Sequence, residues 1–494
     1  MISFLIFSVL MAGLLFAIKR LYFHPLSRFN GPRFWALTLL PYMLAFRSGQ
    51  LAHKVKGFHE IYGDTVRVGP NEISFINPHS VKDIYNKRPN AQFKTLPKDP
   101  VRQPPTRPGH PCSILEAGDE DHSRIRKAYA TLFSTQALRA QEPLIVSYVL
   151  KMTSQLKTRG SQNDGIVDLQ KWFTYCVFDV ICSLSFGEDF GCLENDRYHE
   201  WVGALVFSLK AKVQLASSRY YPWLFNLLVK LMSQSAQAKL IEHKRITREK
   251  VQKRLGQHTV RPDFLSYLQA SKHDLTEGEI VTNAETLIIA GSHTLQTAIT
   301  GIVFQLLHNP EALGRVTNEI RDAFASETDM DTKSLMQLPM LGAAIKEGMR
   351  LTSPVPLGLT RRVPDGGAII CGSYFPSGTV VSYMQWAANL SGSNYTDPNR
   401  FDLERWLDSD SGAGSRYKND RKETTQPYLQ GPRDCLGQNL AQSEIVLILG
   451  HLLYNFDISL PEGLGSQAVN NWEDQETYAV WVGNPLPVRL SPRS

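Results

Sequence analysis

The sequence predicts a mainly α-helical chain with small β-sheets, set behind a single N-terminal transmembrane helix. Three observations predict it: an uncharged run at Ile2–Ile18, helix-period apolar spacing from Asp121 to about residue 351 and again at Gln438–Tyr454, and short β-branched runs confined to the two ends. With 494 residues, 43% hydrophobic and 20% charged, the chain has ample apolar surface for one large core. Its 34 glycines and 28 prolines follow no period, which excludes collagen, and the modest charge excludes disorder and a coiled coil. A net charge of +6 is too mild for a nucleic-acid binder. Six scattered cysteines without a CxxC pair exclude a disulfide scaffold, a zinc ribbon and thioredoxin chemistry.

At about 1.5 Å per residue, Ile2–Ile18 spans roughly 25 Å, suited to a thin bilayer such as the endoplasmic reticulum. A cleaved signal peptide is the rival reading. Against it, no basic residue precedes the run, and no small-x-small site intervenes before Lys19-Arg20. As an anchor over residues 1–20, the run leaves 21–494 as one domain, and Lys19, Arg20, Arg28 and Arg33 keep that domain cytosolic. The sequons at Asn389 and Asn394 should then stay unglycosylated, a test of topology. His24 to Pro32 reads as a stiff neck.

Thr65–Ile76 reads as a hairpin turning at Gly69-Pro70-Asn71, residues 101–111 as a Pro-rich loop, and Asp121–Phe133 as a helix. Gln155–Gly165 is polar and reads as a connector. Trp201–Met232, with Val206, Phe207, Tyr220, Tyr221, Trp223, Leu224 and Phe225, reads either as a core helix or as a greasy lid on a lipophilic ligand or membrane surface. Glu277–Leu307 is a long helix capped by Thr276 and closed by Asn309-Pro310. Strand-like text fills Val363–Val381, and Ser409–Gln426 is a polar loop bearing Arg416, Lys418, Arg421 and Lys422. No repeat and no linker divides the chain.

One cysteine stands in a chemically arranged setting. In Tyr428-Leu-Gln-Gly-Pro-Arg-Asp-Cys-Leu-Gly437, two glycines bracket Cys435, and Arg433 precedes it by two. A thiolate in apolar surroundings needs backbone donors and nearby positive potential, which a helix starting at Gly437 supplies. Glycines also permit close backbone approach to a flat cofactor. Alone, such a cysteine is most often an ordinary buried one. This loop, however, resembles the FxxGxRxCxG haem-binding signature of the cytochrome P450 family, with Tyr428 for the usual Phe and a hydroxyl that needs a partner.

The resemblance covers nearly the whole chain. Glu347-Gly-Met-Arg350 is similar to the family's ExxR, 85 residues before the cysteine, and Phe401–Trp406 to the segment whose arginine, here Arg405, joins it; Leu403 replaces a customary proline. These three are implied to be a structural triad. His122 and Arg126, Arg361 after Pro354-Val-Pro-Leu-Gly, and Arg433 correspond to the haem-propionate ligands. Ala290-Gly-Ser-His-Thr294 resembles the oxygen-activation motif, where Thr294 is implied to hydrogen-bond bound O₂ and help deliver a proton. Gly291 is expected to leave room for O₂ and water, and His293 replaces the usual acid, as a proton relay or as a spectator.

The segments at 22–32, 62–75 and 183–194 are similar to those of microsomal fungal secondary-metabolism members, the isotrichodermin C-15 hydroxylase-like group. That likeness implies a haem-thiolate monooxygenase with haem b held by Cys435. It would use O₂ and electrons from an NADPH–cytochrome reductase to oxidise a lipophilic terpenoid, polyketide or alkaloid. No Rossmann, flavin or iron–sulfur motif is present, so electrons come from a partner, for which Arg416–Lys422 is one docking face and a solvated loop the other reading. Desaturation, phenol coupling or ring rearrangement stay open, as do a haem-thiolate isomerase and a haem sensor. The expected pocket walls are 206–225, Leu287, Ile288, Val355–Leu359 and Tyr478–Val480.

Overall fold

The computed structural model describes residues 2–87, 95–107, 109–160, 164–199, 210–257, 261–270, 274–407, 416–461 and 472–493. Helix α1 (Ile2–Tyr22) has no buried residue, its apolar run standing clear of the fold while Arg20 at its end bonds the Leu37 carbonyl. Strand β1 (Thr65–Gly69) turns into β2 (Glu72–Phe75) as the expected antiparallel hairpin, its register shifting between Arg67 and Gly69. Helix α2 (Asp119–Ala130) opens with three acids in its first turn, complementing the helix dipole. Next come α3 (Thr135–Gly160) and α4 (Leu169–Phe186), the latter buried at every residue but Gln170 and Lys171.

Helix α5 (Glu277–Leu307) begins at a capping box: the Glu279 amide donates to Thr276 Oγ1 at 3.2 Å, and the Thr276 amide donates to Glu279 Oε2 at 2.9 Å. It is long and apolar enough to cross a membrane, yet most of it is buried inside the fold. Helix α6 (Pro339–Leu351) packs along α5 and leads into β3 (Arg361–Arg362) and β4 (Val380–Tyr383). The sheet order is β1-β2-β4-β3, with β2 and β4 parallel and the other pairs antiparallel. Helix α7 (Gln438–Asn455) runs back through the core, where buried residues of α2 to α7 form one cluster.

Three readings need correction. The segment expected to connect at 155–165 is helical through Gly160, because Leu156 and Gly160 are buried on the face that α3 turns inward. A core helix within 201–232 is excluded for Pro222–Lys230, where no residue is buried and Trp223 is 67% exposed; Val206 and Phe207 lie outside the described residues. The sequons lose their value as a topology test, since Asn389 and Asn394 are buried and their side chains donate to the carbonyls of Arg350 and Ile76 at 2.9 Å. A folded chain has no room for a glycan there, on either side of a membrane.

Candidate active site

Cys435 sits in the loop that enters α7, whose N-cap is Gly437. Its amide donates to the Tyr428 carbonyl at 2.9 Å, which curls the loop, and the Gly437 amide reaches the thiol. Burial pushes the Cys435 thiol up, while the Gly437 amide and Arg126 pull it back. Yet the side chain is exposed. High surrounding density and free access coexist for a side chain that faces an internal space. Gly431 has φ 87°, and a Cβ there would collide with the Tyr85 carbonyl. That glycine therefore serves the packing of the loop on residue 85, a reason different from the cofactor approach expected of it. The Tyr428 hydroxyl has no hydrogen-bond partner among the described residues, contrary to expectation; burial, then Cys435, pushes its phenol upward.

Basic residues converge beside this loop. Arg126 donates to the Asp434 carbonyl at 2.8 Å and pairs with the Asp434 carboxylate. Arg433 donates to the Ala117 carbonyl at 3.0 Å and to Asp119 Oδ1 at 2.9 Å. Arg361, 4% exposed, donates to the Thr360 carbonyl at 3.0 Å and lies 5.2 Å over the Tyr85 ring. A further cation, Lys98, donates to the carbonyls of Leu115 and Ala117; burial, then Arg433 and Arg361, pushes its pKa down to about 7. Burial, then Arg433, Lys98 and Arg126, drives buried His122 down to about 4, so its ring is neutral. Three guanidiniums and the half-protonated Lys98 thus share two carboxylates, Asp119 and Asp434, leaving positive charge uncompensated among the described residues. A dianion with two carboxylates fits that surplus, and haem is such a group.

On α5, Ala290 is exposed and Thr294 half-buried, and the Thr294 hydroxyl donates back to the Ala290 carbonyl at 2.6 Å. Gly291 does not open space on that face. A Cβ there would come within 3.1 Å of Ile181 Cδ1, so the glycine lets α4 approach α5. His293 turns toward α4, its ring 5.8 Å from that of Phe178; burial lowers its pKa to about 4, and its Nε2 has no partner among the described residues. Helix α2 ties the two walls together: Arg124 pairs with Glu279 of α5 at 2.5 Å, while Arg126 holds Asp434 beside Cys435.

Glu347, Arg350 and Arg405 meet as expected. Arg350 grips Glu347 with two bonds of 2.8 Å, and Arg405 Nε donates to Glu347 Oε1 at 3.1 Å. Two partners went unforeseen: Trp406 Nε1 donates to Glu347 Oε2 at 2.7 Å, and Asp420 pairs with Arg405. Asp420 belongs to the loop read as solvated. Leu403, in the place of the proline, is 1% exposed in a short turn and leaves the network intact.

The Cytochrome P450 family profile matches residues 30–476. The chain belongs to the cytochrome P450 family. It is 36% identical over 486 residues to "Cytochrome P450 monooxygenase astJ" of Aspergillus oryzae, covering 98% of this chain and 95% of that one. The "Trichothecene C-4 hydroxylase" of Trichoderma arundinaceum is 37% identical over 502 residues (99% and 97%), and the "Averantin hydroxylase" of Dothistroma septosporum 34% over 486 (96% and 88%). This P450 is therefore a monooxygenase of the kind that fungal secondary metabolism uses, carrying haem on a cysteine thiolate, and its apolar α1 is a membrane-anchor candidate.

Of the pocket walls expected for the P450, Leu287, Val355 and Leu359 are half-buried, as residues facing an internal space should be. Ile288 at 0%, Tyr478 at 1% and Val480 at 7% belong to the packed core instead; Tyr478 is covered by Lys210, 5.0 Å from its ring. Lys98 was missed because its place depends on an isolated bridge to Arg361, far along the chain.

Proposed function

We propose that this P450 hydroxylates a lipophilic secondary-metabolite intermediate, a terpenoid, polyketide or alkaloid. Electrons would come from an NADPH–cytochrome reductase in the same endoplasmic reticulum membrane, with α1 as the single span and residues 21–494 on the cytosolic side. The observation that carries the reading is one accessible thiol, Cys435, beside a basic cluster whose cations outnumber its carboxylates among the described residues. The named relatives support oxidation of fungal metabolites, and exposed Trp223 and Leu227 support a surface helix that meets lipid.

In this reading Cys435 would hold the haem iron through its sulfur, and Arg126, Arg361, Arg433 and His122, with Lys98, would hold the haem propionates. When bound, haem supplies reductive activation of O₂ and insertion of one oxygen atom. The chain's part is to orient, to exclude water and to move protons. Gly437 and Arg126 favour the anionic sulfur but only partly offset the burial that holds the thiol up, so binding to iron would complete the loss of its proton. Thr294 can swing its hydroxyl from the Ala290 carbonyl toward the open face and hand on a proton. His293 keeps a narrower place: its neutral ring can accept a proton at Nε2, the atom without a partner among the described residues.

The test is NADPH-dependent turnover with the reductase, on metabolites accumulated by a strain lacking the gene. A hydroxylated product consuming one NADPH per turnover supports the proposal; bound haem without NADPH use on any of them would reduce the protein to a sensor. In the same assay His293→Ala should slow turnover and raise peroxide release. Unchanged coupling of NADPH to product removes His293 from the machinery.

A further inference from the structure

Among the described residues, every arginine that is not exposed has a hydrogen-bond or ion-pair acceptor, with Arg219 the exception. Arg102 has the Tyr42 hydroxyl at 3.0 Å, Arg261 the Gly187 carbonyl at 2.6 Å and Arg489 the Asp164 carbonyl at 2.8 Å. Arg219, half-buried in the turn Ser218–Tyr220, meets only the Phe225 ring, whose centroid lies 5.4 Å from its guanidinium carbon. Burial, opposed only by the charge of Glu116, lowers its pKa. A guanidinium carries five N–H donors, and taking it part-way out of water without an acceptor is costly.

Two neighbours show which way it faces. Helix Pro222–Lys230 exposes Trp223, Asn226, Leu227 and Lys230 on one side and half-buries Leu224, Phe225 and Leu228 on the other, so the guanidinium over Phe225 lies on the inner side. Glu116, whose charge reaches Arg219, belongs to the loop ahead of α2. That loop is pinned to α5, where the Ile114 amide donates to Asn283 Oδ1 at 2.8 Å, and to the cationic cluster, where Lys98 donates to the Leu115 and Ala117 carbonyls. Leu115, held between these two ties, is still 60% exposed. It therefore borders an open space, as Ala290 and Cys435 do. Arg219 thus stands between the lipid-like helix and the candidate active site. Glu116 does not answer it, being exposed, outside ion-pair distance and bonded to the Thr106 hydroxyl at 3.4 Å.

We propose that the substrate is a lipophilic carboxylic acid, its carboxylate held by Arg219 and its apolar body reaching past Leu115 toward Leu287 and Ala290. The chemistry selects this class over the others. A carboxylate offers the guanidinium fork two parallel acceptors, and Phe225 beside the pair keeps water from it. A neutral terpenoid leaves the donors unanswered. A protonated alkaloid meets a like charge at the entrance. The inference narrows the substrate class proposed above and rests on that reading.

The test is equilibrium dialysis of the full-length, detergent-solubilised holoenzyme at neutral pH against dodecanoate or 2-naphthoate, and against the methyl ester of each. In the parent each acid should bind about tenfold more tightly than its ester, although the ester is the more lipophilic. Arg219→Gln should abolish that preference, with ester binding and the reduced-CO spectrum unchanged; the side chain gives up no hydrogen bond, so the variant should fold. Glu116→Lys, a charge reversal at an exposed position, should tighten the acids and leave the esters alone. An acid bound no better than its ester in the parent, or a preference indifferent to Arg219→Gln, overturns the site. Dialysis consumes no electrons, so the two readings fail separately. Acids preferred by a chain that uses no NADPH would remove the monooxygenase and keep the carboxylate site.

Discussion

The network of Glu347, Arg350, Arg405 and Asp420 holds two carboxylates and two guanidiniums, and all four side chains are 0% exposed. The cluster of Lys98, Arg126, Arg361 and Arg433 around neutral His122 has, among the described residues, only Asp119 and Asp434 to answer three guanidiniums and a half-protonated lysine. Both are assembled from segments far apart in sequence, and both lie against the core. The first is electrically closed, and every charge in it already has its partner. In the second the pKa values of Lys98, Arg361 and His122 all fall under burial and mutual repulsion. A balanced network can only hold a fold; a cluster with charges to spare is built for a ligand. The difference separates scaffold from site without reference to any motif.

The comparison can be broken most forcefully at Glu347. Glu347→Gln leaves two buried guanidiniums short of a carboxylate, at a cost of about 3–5 kcal/mol. Thermal unfolding of the haem-free and haem-loaded chain should both fall sharply, or no folded protein should be recovered. An unchanged melting temperature would show that the network is not closed.

A substitution in the open cluster should behave in the opposite way. Arg361→Gln removes one of the mutually repelling cations, so the haem-free chain should melt no lower than the parent. Haem retention, measured by transfer to a scavenging apo-globin, should weaken about tenfold. Equal losses of melting temperature and haem would make Arg361 a scaffold residue like Arg350.

The smallest effect is a slope in pH. Lys98 titrates near 7 in the fold against 10.5 when free, so between those values the unfolded chain binds the extra proton. Stability of the haem-free chain therefore rises with pH across that window, and the penalty of a charged Lys98 is fully present below it. With propionates answering the cation, the slope should flatten. Denaturant midpoints of both forms across the window test it; identical slopes would detach Lys98 from the cofactor.

Much of this was legible in the sequence wherever the signal was local. The Thr276 cap, the i,i+3 pair Glu347–Arg350 and the loop from Tyr428 to Gly437 each lie within a short local stretch of chain. What escaped notice depends on distant packing. Lys98 joins through an isolated bridge to Arg361, and Asp420 crosses from a polar loop to neutralise Arg405. Gly291 is small because Ile181 presses on it, a fact of helix–helix distance that no motif encodes. Pro222–Lys230 carried a core-like composition, and only its place in the fold shows its apolar side chains uncovered.

Purified full-length protein, reduced under carbon monoxide, tests the proposed bond between Cys435 and iron most directly. Thiolate ligation predicts a Soret band red-shifted from that of an imidazole-ligated haem, and its loss in Cys435→Ser with porphyrin still bound. A native, haem-loaded wild type that shows only the shorter-wavelength band would contradict it.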